Sequence, residues 1–113
     1  MTIEISRPSN FAWTTSKTSG ADFNLSATEW NSFTAKINEF RDYWNKTQGT
    51  NLSDYSFTVA YKGNSFTADM YRQARTAIQA MSGYGTYIPY VNSGDEITAY
   101  MMNILVSELN SVP

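Results

Sequence analysis

The side chains able to do chemistry in this sequence are ten carboxylates, eight cations and eight tyrosines, with no His and no Cys. Without an imidazole or a thiol, every Ser-His-Asp or Cys-His arrangement, every Cys/His zinc site and every disulfide framework is excluded. Hydrolysis by general acid and base would need two carboxylates facing each other across a cleft. The acids are instead scattered: Glu4, Asp22, Glu29, Glu39, Asp42, Asp54, Asp69, Asp95, Glu96 and Glu108. Several have simpler duties. Glu29 is placed as the acid of a capping box, and Asp69, Asp95 and Glu96 fall near expected helix N-termini, where negative charge is favourable. Gly94-Asp95-Glu96 lacks the ligand spacing of an EF-hand loop, and Gly63-Asn64-Ser65-Phe66-Thr67 lacks the Lys-Ser/Thr of a phosphate loop. No catalytic residue, cofactor or metal ligand is expected.

The elements that would position these groups come from an internal repeat, the feature to seek first. Leu25-Ser-Ala-Thr-Glu-Trp30-Asn-Ser-Phe33-Thr-Ala-Lys-Ile37-Asn38 aligns without a gap on Phe66-Thr-Ala-Asp-Met-Tyr71-Arg-Gln-Ala74-Arg-Thr-Ala-Ile78-Gln79 and on Ile97-Thr-Ala-Tyr-Met-Met102-Asn-Ile-Leu105-Val-Ser-Glu-Leu109-Asn110. Ser26, Thr67 and Thr98 sit where a helix N-cap belongs, and Leu25, Phe66 and Ile97 precede them as hydrophobic staples. Trp30, Phe33, Ile37, Phe40 and Trp44 then recur at spacings of three and four. Tyr71, Ala74, Ile78 and Met81 do the same, as do Met102, Leu105, Leu109 and Val112. The pattern predicts helices over about 26–46, 67–82 and 98–112.

Upstream of each helix lies a Gly, at 20, 63 and 94, and before it a stretch without helical period. Tyr55-Ser-Phe57-Thr-Val59-Ala-Tyr61 alternates at period two and predicts a short strand, with Phe11 to Trp13 and Ile88-Pro-Tyr90-Val91 as counterparts. Gly83 and Gly85 are placed to end the second helix, and Gly49 the first. Asn31 and Asn103, with Arg72 in the second copy, and Asn38, Gln79 and Asn110 seven residues later lie on one helix edge beside the apolar stripe. Either they hydrogen-bond the backbone of an incoming arm, within the chain or across a subunit boundary, or they are ordinary polar side chains facing solvent. The expected fold is mainly α: one domain over 1–113, built from three arm-turn-helix units in a small helical bundle with short extended or β segments, α+β remaining possible. An extended N-terminal arm covers 1–22.

In 113 residues, only 16% are charged, the net charge is −2, and 15% are aromatic. No basic run gives the footprint of a nucleic-acid binder, and no stretch reaches a membrane span or a secretory leader. Phe11, Trp13, Tyr84, Tyr87 and Tyr90 lie in extended or Gly-rich segments, and Tyr84-Gly-Thr-Tyr87-Ile-Pro-Tyr90 has the composition of adaptable binding loops. These five residues form the expected interaction surface.

The run Gly94-x-x-Ile97-Thr98-Ala99-x-x-x-Asn103-x-Leu105-x-x-x-Leu109-Asn110, with its looser copies from Gly63 and Leu25, resembles a module common in small structural proteins of tailed phages and prophages. The resemblance spans about Phe11 to Pro113. It implies a non-enzymatic virion structural or assembly protein of head, neck, tail or baseplate, made in the bacterial host cytoplasm, that binds other virion proteins and itself as a homo-oligomer. It carries over no catalytic residues. A host-surface glycan-binding module is the alternative, and a carboxylate-dependent hydrolase a remote one.

Overall fold

The computed structural model describes residues 6–18, 20, 23–81, 84 and 87–113. Among them are three helices and no strands: α1 (Ala27–Gln48), α2 (Ala68–Gln79) and α3 (Ala99–Asn110). Each starts where a hydroxyl can take an orphan backbone N–H. The side chains of Ser26, Thr67 and Thr98 accept from the amides of Glu29, Met70 and Met101, three residues on in each case. Helix α1 stops at Gly49, whose φ of 68° lets its N–H turn back to the Asn45 carbonyl. Helix α2 ends sooner than its apolar period, with Ala80 as its right-handed cap. Gly83 and Gly85 lie outside the described residues.

The three apolar stripes bury completely or nearly so. Trp30, Phe33, Ile37, Phe40 and Trp44 of α1 meet Tyr71, Ala74, Ala77 and Ile78 of α2 and Met102, Leu105 and Leu109 of α3, joined by Met81, Ile88, Val91 and Val112. The class is therefore mainly α, a small helical bundle.

The three helices all point the same way. Parallel neighbours need long returns, and here each return is an irregular arm lying back along the helix it leaves. Arm 2, residues 52–60, descends α1 in reverse, with Leu52 opposite Asn45, Tyr55 opposite Asn38 and Ala60 opposite Asn31. Arm 3, residues 88–91, descends α2 from Arg75 to Arg72. Arm 1, residues 7–17, descends α3 from Asn110 to Asn103, closing the set of three although it stands at the other end of the sequence.

Two of the turns that redirect the arms into the helices share one geometry. Asn64 donates to the Tyr61 carbonyl and Asp95 to the Asn92 carbonyl, with Gly63 and Gly94 third in their turns at φ of 90° and 91°. Positive φ at that position alone marks a type II turn and selects glycine. Phe66, entering α2 just after its turn, lies edge-on to Trp30 of α1, with ring centroids 4.6 Å apart. This staple therefore locks two neighbouring helices together.

Candidate functional site

An arm without a sheet leaves its amides and carbonyls to be satisfied by something else. Helix side chains do it. On α1, Asn38 donates to the Tyr55 carbonyl at 3.2 Å and accepts from the Tyr55 N–H at 2.8 Å. Asn31 makes the same pair with Ala60, both at 2.9 Å, and Asn45 with Leu52 at 2.6 and 2.8 Å. On α3, Asn110 does so with Phe11, both at 2.9 Å, and Asn103 donates to the Lys17 carbonyl. A side-chain amide sets an N–H donor beside a carbonyl acceptor, matching the C=O and N–H of a single extended residue, so Asn31, Asn38, Asn45 and Asn110 each replace one residue of a neighbouring strand. The arms expected as strands are thus paired to helices. Period-two alternation holds through the half-buried Tyr55 and Phe57, then slips, so that Val59 faces outward and Ala60 inward.

The spacing explains both the fit and the slip. Seven helical residues rise about 10.5 Å, and three nearly extended residues cover about the same length. Leu52 to Tyr55 matches this between Asn45 and Asn38. Tyr55 to Ala60 has two residues more than the distance requires, and the surplus is taken up by α2. There Gln73 accepts from the Thr58 N–H and donates to the Thr58 hydroxyl, both at 2.8 Å.

Helix α2 uses longer side chains for the same task. Arg72 and Arg75 donate to the carbonyls of Val91 and Ile88, and the buried Tyr71 hydroxyl donates to Pro89 at 2.8 Å. Burial pushes the Tyr71 phenol up to about 12, against the pull of Arg75. Gln79, aligned with Asn38 and Asn110, accepts from Arg75.

Among the described residues the best-buried carboxylate is Glu29, beside Lys17 at 3.0 Å. Its backbone N–H meets Ser26, but its carboxylate does not turn back to complete a capping box. It instead accepts from the amides and hydroxyls of Thr14 and Thr15 and from the Lys17 ammonium. Burial alone would raise its pKa, but these donors hold the carboxylate at about 2. Arg41 is likewise buried and spent, donating to Ser53 twice and to the Ala77 carbonyl near the end of α2, while Arg7 takes the Asn110 and Val112 carbonyls at the end of α3. Burial draws Arg41 below its ordinary value, partly offset by Asp54 and Tyr55.

Four of the other described acids serve one by one. Asp42 pairs with Lys46, Glu39 with Lys36 and Asp69 with Arg72, and Asp95 accepts the Asn92 amide within its turn. Among the described residues no three metal-binding side chains converge, and no helix is long and apolar enough to cross a membrane.

The five residues expected on an interaction surface divide. Phe11 and Trp13 turn inward, against Phe33 at 5.1 and 5.0 Å, and the Trp13 indole donates to the Met102 carbonyl. They fill the groove between α3 and α1 rather than facing solvent, because the arm carrying them is held by Asn110, Asn103 and Glu29. Tyr84 stacks edge-on against Trp44. Tyr87 and Tyr90 do face outward, 80% and 59% exposed, with Tyr90 within 6 Å of both Arg72 and Arg75. Sequence reasoning left out Val59, Tyr61 and Tyr100, which are also more than half exposed. Val59 and Tyr61 rim a cleft of about 470 Å³ floored by Trp30, Phe66 and Met70 at the N-terminal ends of α1 and α2.

Three parallel helices, each braced by an arm hydrogen-bonded to its polar edge, define a small arm-braced helical bundle with several tyrosines exposed on its surface. Comparison of the chain with protein-family models, with curated proteins and with solved structures finds no match.

Proposed function

We propose that this is a non-enzymatic virion structural or assembly protein of a tailed phage, working through contacts with other virion proteins and with itself. The observation that carries the reading is how the side chains are divided. The buried and half-buried charged groups are spent inside the fold: Glu29 and Lys17 on each other and on arm 1, and Arg7, Arg41, Arg72 and Arg75 on backbone carbonyls. Five large apolar side chains face outward, Tyr61, Tyr87, Tyr90, Tyr100 and Val59, among scattered surface charges, several of which pair locally, such as Asp42 with Lys46. Tyrosines are enriched at protein contacts because they bury a large rigid area while keeping a polar tip. The virion setting is supported by the repeated Gly-turn, Thr-Ala helix-entry motif.

Proteomics of purified phage particles from the host carrying this gene tests the reading. The expected result is the protein in the particles at a fixed copy number, with Tyr87→Ala plus Tyr90→Ala lowering its incorporation at least tenfold. Absence from purified particles, or a strictly monomeric protein retained on a glycan array, would overturn it in favour of another class.

A further inference from the structure

Among the described residues Lys62 is the one cation with no ion pair, hydrogen bond or ring contact. It is the second residue of the turn that leads arm 2 into α2, and it lines the cleft floored by Trp30, Phe66 and Met70. No carboxylate lines that cleft, so its one charged group is an unpaired ammonium in a chain of net charge −2. Its volume, about 470 Å³, falls within the ~300–1,000 Å³ usual for ligand sites.

The rim owes its character to the slip in arm 2. Strict alternation from Tyr55 and Phe57 would turn Val59 and Tyr61 inward. With Asn31 holding Ala60 and Gln73 holding Thr58, both instead face outward along the cleft, each more than half exposed. Two large apolar side chains are thus left in water beside an apolar floor, and an occupant that covers them gains their burial. Val59 also makes no hydrogen bond among the described residues, so its N–H and carbonyl stand open at the rim. Leu52, Tyr55 and Ala60 of the same arm show what such a pair accepts, since each closes a two-bond ring with an Asn amide. One extended residue of another peptide offers the same donor and acceptor.

We infer that this cleft docks a short extended segment of a partner protein, one that presents an aromatic or large aliphatic side chain with a carboxylate next to it. The apolar side chain enters over Trp30, Phe66 and Met70, the carboxylate meets Lys62, and the backbone pairs with Val59. Each feature selects one part of the occupant. The floor rejects a polar side chain, which would lose its water with no hydrogen bond in return. Lys62 favours an acidic neighbour and repels a basic one. Val59 favours a peptide over a free organic acid, because a peptide answers its N–H and its carbonyl together. That the partner is a protein rests on the assembly reading above; the cleft adds which kind of segment binds.

The test is a titration of the isotope-labelled, full-length chain with three end-capped tetrapeptides, Gly-Phe-Asp-Gly, Gly-Leu-Asp-Gly and Gly-Trp-Asp-Gly, followed by amide chemical shifts. At least one is expected to bind saturably, with the largest shifts at Val59, Lys62, Phe66 and Met70. Replacing the apolar residue of the best peptide by Ala should weaken binding at least tenfold. Replacing its Asp by Asn should weaken it about threefold, the scale of an exposed ion pair. Lys62→Glu changes an exposed turn residue that makes no contact within the fold, and should invert the preference so that the peptide with Lys in place of Asp binds more tightly. Phenylacetate, a ring and a carboxylate without a peptide, should bind at least tenfold more weakly than the best peptide; equal binding would overturn the peptide assignment. No saturable shift with any of the three, shifts centred away from the cleft, or an unchanged order of affinities in Lys62→Glu would overturn the docking site. If the titration fails while the protein is found in particles, only the cleft proposal falls; if the peptides bind and the protein is absent from particles, only the virion reading falls.

Discussion

Asn38 of α1 and Tyr55 of arm 2 form a closed two-bond ring, side-chain amide against backbone peptide, at 3.2 and 2.8 Å. It is the middle rung of three on α1, between Asn31 with Ala60 and Asn45 with Leu52, and it recurs on α3 as Asn110 with Phe11. A helix edge with amides every seven residues can thus do the work of a sheet edge.

Breaking the ring is expected to be costly in proportion to what is left unpaired. Asn38→Ala strands both polar groups of Tyr55 and should lower unfolding stability by about 2 kcal/mol. Asn38→Asp keeps the acceptor for the Tyr55 amide but sets a carboxylate against the Tyr55 carbonyl. It should cost at least as much at pH 7 and partly recover as the new acid is protonated. Urea unfolding of both variants at pH 7 and pH 4 checks the order.

The Glu29 cluster predicts an acid-sensitive window. Its folded pKa of about 2 lies below the ordinary value of 4.5, so the unfolded chain binds the proton first as pH falls. The stability it contributes is complete above pH 4.5 and is lost progressively as pH falls toward 2. The shift corresponds to at most about 3 kcal/mol. Glu29→Gln should flatten the stability curve in that window while lowering stability at pH 7, as followed by urea midpoints at half-unit pH steps.

Tyr71 predicts the opposite limb. Its neutral phenol is buried on the Pro89 carbonyl and ionises at about 12 instead of 10, so its contribution is intact below pH 10 and lost as pH rises through 12. Tyr71→Phe should cost about 1 kcal/mol at neutral pH. It should also remove the component near pH 12 from the ultraviolet titration of tyrosine.

The turn glycines should be intolerant of a side chain for a backbone reason alone, since open space surrounds the position of an added Cβ at Gly63 and Gly94. Gly63→Ala and Gly94→Ala are each expected to cost about 1 kcal/mol through φ near +90°. Thermal melts of the two variants should show equal losses if the turns are equivalent.

How far these features could be read in advance follows from how local their causes are. The caps at Ser26, Thr67 and Thr98 and the three buried stripes depend on neighbours within a few residues, so periodicity reveals them. The amides at 31, 38, 103 and 110 stood out for their seven-residue spacing on one edge, but Asn45, one rung beyond the aligned repeat, did not. Glu29 looked like a capping acid because only its own helix was in view; its partners Thr14, Thr15 and Lys17 arrive from arm 1. Phe11 and Trp13 looked available for partners because no local pattern says that arm 1 closes on α3, the most distant helix in sequence. Tyr55 to Tyr61 had the alternation of a strand, since one side of an arm is buried whether its partner is a strand or a helix.

Amide hydrogen exchange in the arms tests the helix-edge account most directly. In the wild-type chain the amides of Phe11, Leu52, Tyr55 and Ala60 should be protected at least a hundredfold over an unstructured peptide, although none belongs to a strand. Asn38→Ala should remove protection at Tyr55 while leaving Phe11 protected. Exchange at peptide rates in the wild-type arms would contradict the account, as would continued protection of Tyr55 once Asn38 is gone.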